Sequence, residues 1–508
     1  MEIATLSTSR RWLLLVTVAA GLLLVTVDYS VLYTALPILS RELHASPTEG
    51  LWIINAYPLV MAGLLLGAGT LGDRLGHRRM FLGGLVIFGI ASIAAAFAPS
   101  STVLIGARAA LAVGAAAMMP ATLALIRITF VDERERNIAI SIWGCIAIVG
   151  AALGPIIGGL LLARFWWGSV FLINVPVVVV AIIGTLIFAP SGSIEKEKPW
   201  DLASSLLALV ALSALTLGIK HLAQAHPAQA HPDWLGAGVA WLVAVGAGYV
   251  FVRRQTQLPH PLLDFSIFRN PAFSAGVIAA ALTMFSVGGT QLATTQYFQL
   301  VAGFTPLQAG LLVSVVVVGT VPTALLGGAF LHKLGLRMLI SSGLAIAALG
   351  AFATSAGLHY GIGWLIAGMV LNGAGLGLVM AVASAAIVGN APPERAGMAS
   401  SVEEVSYEFG GLIAVALLGS LLGMLYSTGV EFPPGTPDIA ASGVAQAFEL
   451  ATQGGQTDQE IIEAASLAFA NAYVVVLWVV GGILGIGAVV ARRMLRAYGP
   501  GSSASSIH

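Results

Sequence analysis

A chain of 508 residues that is 58% hydrophobic and only 9% charged lies far from the roughly 25% charged residues of a soluble globular domain. Its 23 basic and 23 acidic residues cancel, but they sit in separate loops, so the balance reports topology and points to no nucleic-acid partner. The single cysteine, Cys145, excludes an internal disulfide and a cysteine-based metal cluster.

Apolar runs of bilayer length recur from end to end, which predicts an all-α, polytopic membrane protein. About fourteen spans are predicted, centred near Leu24, Val60, Ile90, Ala112, Val149, Val179, Ala211, Val243, Met284, Val318, Ala347, Val370, Ala414 and Val479. The opening MEIATLSTSRR is short and polar. The apolar run after it is too long for a leader and lacks a small-residue cleavage site, so the first span is expected to be retained. With the N-terminus inside, 19 of the 23 Lys and Arg fall in inner segments. Arg41 and Arg164 fall outside, and Arg108 and Lys220 fall within spans. Both termini are therefore expected in the cytoplasm, with the chain in the cytoplasmic membrane.

The first span carries Asp28 inside an apolar stretch from Trp12 to Leu36. A carboxylate in hydrocarbon is costly, so Asp28 is a proton or cation site unless the helix stops short and leaves it at the interface. The second span opens with LWIINAY, from Leu51 to Tyr57. Asn55 there can orient a ligand but cannot release a proton. Trp52 and Tyr57 can offer ring faces to a lipophilic cation, with interfacial anchoring as the alternative for Trp52.

The loop that follows reads GTLGDRLGHRR, Gly69 to Arg79. Turn geometry explains Gly69 and Gly76, and the inner-side bias explains Arg74 and Arg78, but neither explains Asp73. In the fourth span, Arg108 either snorkels to the interface or pairs with Asp28 and keeps it ionised until proton or substrate arrives. The fifth span carries GAALGPIIGG, in which Gly150, Gly154, Gly158 and Gly159 allow close helix approach and Pro155 bends the helix.

Later motifs are fewer. His221, His226 and His231 sit in an Ala/Pro/Gln context that favours a solvated linker over a metal site. The glycines at 373, 375 and 377 lie mid-membrane with no strand before them, and no phosphate-binding loop is present, so neither a cofactor nor ATP is expected. The thirteenth span opens with VEEVSYEFG, Val402 to Gly410. Glu404 and Glu408 are four apart and share a face, where like charges suit a group that exchanges a proton; Glu403 is rotated by about 100° and also fits a plain helix start. The outer segment from Ser427 to Glu463 holds six acids and no Lys or Arg. It is read as partly helical, either a shield over the vestibule or a solvated linker. An internal repeat aligns 46–80 with 305–339 at an offset of 259, pairing Pro47 with Pro306, Gly69 with Gly328, Gly76 with Gly335 and Arg78 with Arg337.

These strings resemble the major facilitator superfamily. GTLGDRLGHRR resembles its signature loop, GAALGPIIGG its antiporter signature, and VEEVSYEFG with TVDYSVLYTALP its fourteen-span drug:proton antiporters, similar to the quaternary-ammonium-compound exporters. The resemblance implies two six-helix halves, 1–190 and 263–498, around two additional helices in 191–262, with 499–508 as a cytoplasmic tail. It implies gating by Asp73 and Arg78, and proton coupling and cation binding by Asp28, Glu404 and Glu408, with Glu403, Asn55, Tyr57, Arg108 and Trp52 as further candidates. Two departures stand out: Asn55 where relatives often have Asp, and Leu111 and Ala112 where Gln and Gly are usual. The expected function is proton-driven export of hydrophobic, mainly cationic compounds by a monomer through alternating access. Export of an endogenous metabolite, lipid or siderophore is the rival. A membrane-embedded enzyme would need a catalytic constellation that the sequence lacks.

Overall fold

The computed structural model describes residues 7–190, 201–224, 234–259, 261–391, 396–434, 436–452 and 458–499, and its regular elements there are all helical. The first six long helices are α1 (Thr8–Glu42), α2 (Pro47–Leu75), α3 (His77–Ala96), α4 (Ser101–Thr129), α5 (Glu133–Arg164) and α6 (Ser169–Phe188). Two more follow, α7 (Leu202–Gln224) and α8 (Trp234–Gln257). The C-terminal part begins with α9 (Pro271–Gln296), which ends in a π turn at Tyr297–Val301.

The next apolar stretch, Pro306–Tyr360, is too long for one pass. Gly319 packs against Val370 and Gly350 against Asn372, so both reach the same turn of the following helix. In one straight helix they would be about 46 Å apart. The chain instead reverses at Gly335, whose φ of 74° favours glycine, giving α10 (306–334) and α11 (336–360). The remaining helices are α12 (Ile362–Ile387), α13 (Ala396–Gly429) and α14 (Gln459–Met494). Twelve stretches are long and apolar enough to cross a membrane. Counting the doubled stretch as two and adding α5, with its apolar run Val149–Arg164, the described residues make about fourteen passes, as the sequence predicts.

The repeat is structural. Ser46 and Thr305 both cap their helices in reciprocal boxes with Glu49 and Gln308, and Pro47 and Pro306 take the first helical turn. Gly76 (φ 92°) and Gly335 (φ 74°) make the two matching reversals. Each half buries its own core, one rich in α1–α6 residues and one in α9–α14 residues. At the end away from the termini the halves interlock: Gly159 seats against Leu307, Gly310 against Pro155, and Gln299 donates to the Thr34 carbonyl at 2.8 Å.

The additional pair lies beside this seam. α7 packs on both α2 and α13, and α8 packs on α7, with little of its own surface buried. Arg254 grips Asp201 through two N–H donors at 3.1 and 3.0 Å, and Gln255 donates to Ser204 at 2.6 Å. Burial pushes the Asp201 carboxyl up, but hydrogen bonds from Arg254 and Ser204 outweigh it and hold it below the usual carboxylate range. A depressed folded-state value stabilises above the unfolded value, about 3.9, and is lost as pH falls through the folded one. Asp201→Asn is therefore expected to lower the unfolding midpoint at neutral pH, by an amount that shrinks as pH falls through the folded carboxyl's value. Thermal melts of both proteins across pH 7 to 3 check this.

The segment from Ser427 to Glu463 is partly helical and folds back. A 3-10 turn at Asp438–Ser442 and a helix at Val444–Thr452 bury Ala440, Val444, Ala447 and Ala451, and Tyr426 donates to the Ala440 carbonyl at 3.0 Å. His226, His231, and 191–200 lie outside the described residues.

Candidate functional site

The N-terminal half holds a buried charge cluster. α1 runs unbroken through Asp28, so the acid is not interfacial, and its exposure is 0%. One carboxylate oxygen is paired with Arg108 of α4. The other accepts from Asn174 Nδ2 of α6 at 3.0 Å, and the same amide reaches Ser92 Oγ of α3 at 3.2 Å. Arg108 also donates to the Ile53 carbonyl at 3.4 Å, and its guanidinium carbon lies 4.6 Å from the centre of the Tyr57 ring. Both oxygens of Asp28 are thus engaged, as a buried charge requires. In this arrangement Asp28 presents no free oxygen to a bound cation. It sits inside the N-terminal bundle, not on the wall between the halves.

That wall is made by tyrosines. Tyr29 and Tyr33 lie one turn apart on α1, their hydroxyls 3.2 Å from each other. The Tyr29 and Tyr57 rings are 6.3 Å apart. Across the seam, Tyr29 Oη sits where a Cβ on Gly411 of α13 would come within 2.4 Å, and Gly288 of α9 faces Tyr33 Oη in the same way at 3.3 Å. Glu408 is one turn before Gly411, and its Oε2 is buried without a hydrogen-bond partner. Tyr57 packs both on Tyr29 and against the Arg108 guanidinium, joining the tyrosine wall to the buried ion pair. Its own hydroxyl, and Asn55 Oδ1, are buried without partners.

Glu404 precedes Glu408 by one turn, and the two carboxylates interact. Glu403 bonds Ser384 of α12 and still feels the charge of Glu404. Trp52 is half-buried on α2. Tyr297 stacks on Tyr473 at 5.1 Å, and Trp143 donates to Thr122 at 3.1 Å.

The glycines of α5 form contacts on two faces. Gly150 meets Thr26, Gly154 meets Ser30 and Gly158 meets Val31, a stripe that presses α5 onto α1 beside Asp28. Gly159 faces the other half, where a Cβ would lie 2.4 Å from Leu307 Cα. Backbone cannot yield as a flexible side chain can. Gly159→Val is expected to cost about 1–3 kcal/mol and to force the halves apart at this end. Faster thiol labelling of a cysteine placed at Leu307, relative to the same cysteine with Gly159 intact, checks it.

The signature string, read from sequence as a loop, is helical except at Gly76, because α2 runs on through Gly69 to Leu75 and α3 starts at His77. Within it Arg78 donates to the Leu186 carbonyl at 2.8 Å, tying the start of α3 to the end of α6. Cations favour such helix C-termini. Arg74 is exposed, Gly69 lies 3.9 Å (as a built Cβ) from Ser401 Oγ, and the Asp73 side chain lies outside the described residues. Sequence reasoning assigns no role to Asn174, Ser92, Tyr29 or Tyr33. The i, i+4 spacing of Tyr29 and Tyr33 beside Asp28 was the available signal. Asn174 and Ser92 become visible only when α3 and α6 are packed.

Two related six-helix halves, a glycine-fitted seam and ionisable groups sunk in the bundle define a multi-pass membrane transporter, not an enzyme. Residues 18–415 match the model of the Major Facilitator Superfamily, and the chain belongs to that family. It is 35% identical over 481 residues to the methyl viologen resistance protein SmvA of Salmonella typhimurium, covering 94% of this chain and 96% of the relative. It is also 35% identical over 477 residues to the multidrug efflux pump LfrA of Mycolicibacterium smegmatis, covering 92% of each. In fold it is similar to a bacterial homologue of the human lysosomal transporter Spinster in an inward-facing, occupied conformation, with a TM-score of 0.65, 16% identity, and coverage of 97% of this chain and 98% of that one.

Proposed function

We propose that this transporter exports hydrophobic, mainly cationic drugs from the cell in exchange for protons. The observation that carries the reading is Glu408, an acid without a hydrogen-bond partner on Oε2, set within a tyrosine-lined seam between the halves. An unneutralised carboxylate in low dielectric attracts either a proton or an organic cation, and the ring faces of Tyr29 and Tyr57 favour the cation. Glu404 supplies a second negative charge one turn away. Competition for these carboxylates makes exchange obligatory, without ATP.

Asp28 plays a different part. Held by Arg108 and Asn174, it couples rather than binds: its protonation removes the charge that fixes Arg108 against α1 and lets α1 repack on α4. Tyr57, packed on both Arg108 and Tyr29, carries that change to the seam. The relatives named above support a drug as cargo, and methyl viologen, named in one of them, is itself a flat aromatic dication. With Lys and Arg concentrated on the side of the termini, the termini face the cytoplasm and protons enter from outside. The tight closure at the opposite end fits a loading state.

Purified protein in inverted proteoliposomes, acid inside, tests the reading. Ethidium should accumulate in step with the pH gradient, and unlabelled organic cations should compete. Transport indifferent to the gradient would remove proton coupling. Transport of only uncharged solutes, with no competition by cations, would leave an exporter of a metabolite, lipid or siderophore.

A further inference from the structure

A groove of about 800 Å3 opens on the flank of the C-terminal half, between α11 and α14. Its apolar walls include Leu349, Phe352 and Val489, which are exposed on membrane-spanning helices and so face lipid. Its polar groups are gathered at one end, where Arg337 and Arg492 line the mouth nearest the termini. At the other end the helices close on each other: Phe352 seats against Gly481, and Trp478 donates to Ser355 at 2.9 Å.

The dimensions match half a membrane. Fifteen residues separate Arg337 from Phe352 on α11, about 22 Å of helix. Half of a bilayer of about 40–45 Å, headgroups included, is the same length. The internal repeat adds a second argument. Arg78, the counterpart of Arg337, gives its guanidinium to the Leu186 carbonyl and so ties α3 to α6. At Arg337 it is the backbone nitrogen that is tied, to the Tyr498 carbonyl at 3.1 Å, while the side chain lines the groove. The C-terminal half has kept the cation and opened the space beside it.

We infer that this groove binds one anionic phospholipid from the leaflet at the termini end, with its phosphate between Arg337 and Arg492 and its acyl chains along α11 and α14. Two cations at a hydrocarbon edge fit an anionic headgroup, and the apolar length fits the chains. The site is separate from the seam and stands whatever the cargo.

Native mass spectrometry of the full chain, titrated with phosphatidylglycerol or with phosphatidylcholine of matched chains, tests it. Wild type should bind phosphatidylglycerol about ten to thirty times more tightly. Combining Arg337→Gln with Arg492→Gln should abolish that preference while leaving the phosphatidylcholine affinity in place. Gly485 lines the groove with open space around its Cα, so Gly485→Phe should fill the site and reduce binding of both lipids without displacing a neighbour. Equal affinity of wild type for the two lipids, or a preference that survives both variants, would overturn the inference. So would a protein dimer that Gly485→Phe dissolves, since the occupant would then be a second copy.

Discussion

Glu408→Gln is expected to end pH-driven cation export while the protein stays folded and in the membrane. The amide keeps the size of the side chain and can still face Tyr29, so packing at the seam is preserved. What disappears is the exchangeable charge. A unit charge about 4 Å from a cation is worth about 4 kcal/mol at an effective dielectric of 20, and partial hydration reduces it. A loss of about 2–4 kcal/mol corresponds to roughly 30- to 700-fold weaker cation affinity. Ethidium binding by fluorescence anisotropy and gradient-driven uptake should fall together. Wild-type rates in Glu408→Gln would show that the carboxylate is a bystander. Glu404→Gln should weaken binding less, because Glu408 remains.

The second large effect is on stability. Arg108→Ala leaves the Asp28 charge without its counter-ion in a site of 0% exposure, which is expected to cost about 3–5 kcal/mol. Removing both charges is a different case. Asp28→Leu together with Arg108→Met should fold about as well as wild type, because well-packed apolar groups can replace a buried ion pair. That double variant should nevertheless transport nothing against a gradient. Thermal unfolding in detergent and uptake in vesicles separate the two roles. If the double variant still exported against a gradient, the pair would be structural alone.

Much of this architecture was legible because a bilayer imposes few solutions. Spans show as apolar runs, and the repeat as Pro47 with Pro306 and Gly76 with Gly335. The pairing of Asp28 with Arg108 was also readable, since few partners inside a membrane can satisfy a guanidinium. The surroundings of the pair were not. Asn174 comes 146 residues after Asp28 in sequence, and nothing local marks its amide as the second ligand of that carboxylate. The seclusion of Asp28 from the seam was hidden for the same reason: helix periodicity places a residue on a face without naming the neighbour opposite. Glu403 shows the limit in miniature. It adjoins Glu404 in sequence, yet the rotation of about 100° per residue sends it to Ser384 on another helix.

The position of α7 gives the molecule a sidedness that twofold-like halves alone would lack. On one margin of the seam between the halves a third helix is wedged against α2 and α13, with α8 backing it like a buttress. On the opposite margin α5 meets α10 with no such reinforcement among the described residues. The brace is therefore one-sided: the join of α2 with α13 is backed by a second layer of helix, whereas the join of α5 with α10 rests on its own glycine fit, Gly159 on Leu307 and Gly310 on Pro155.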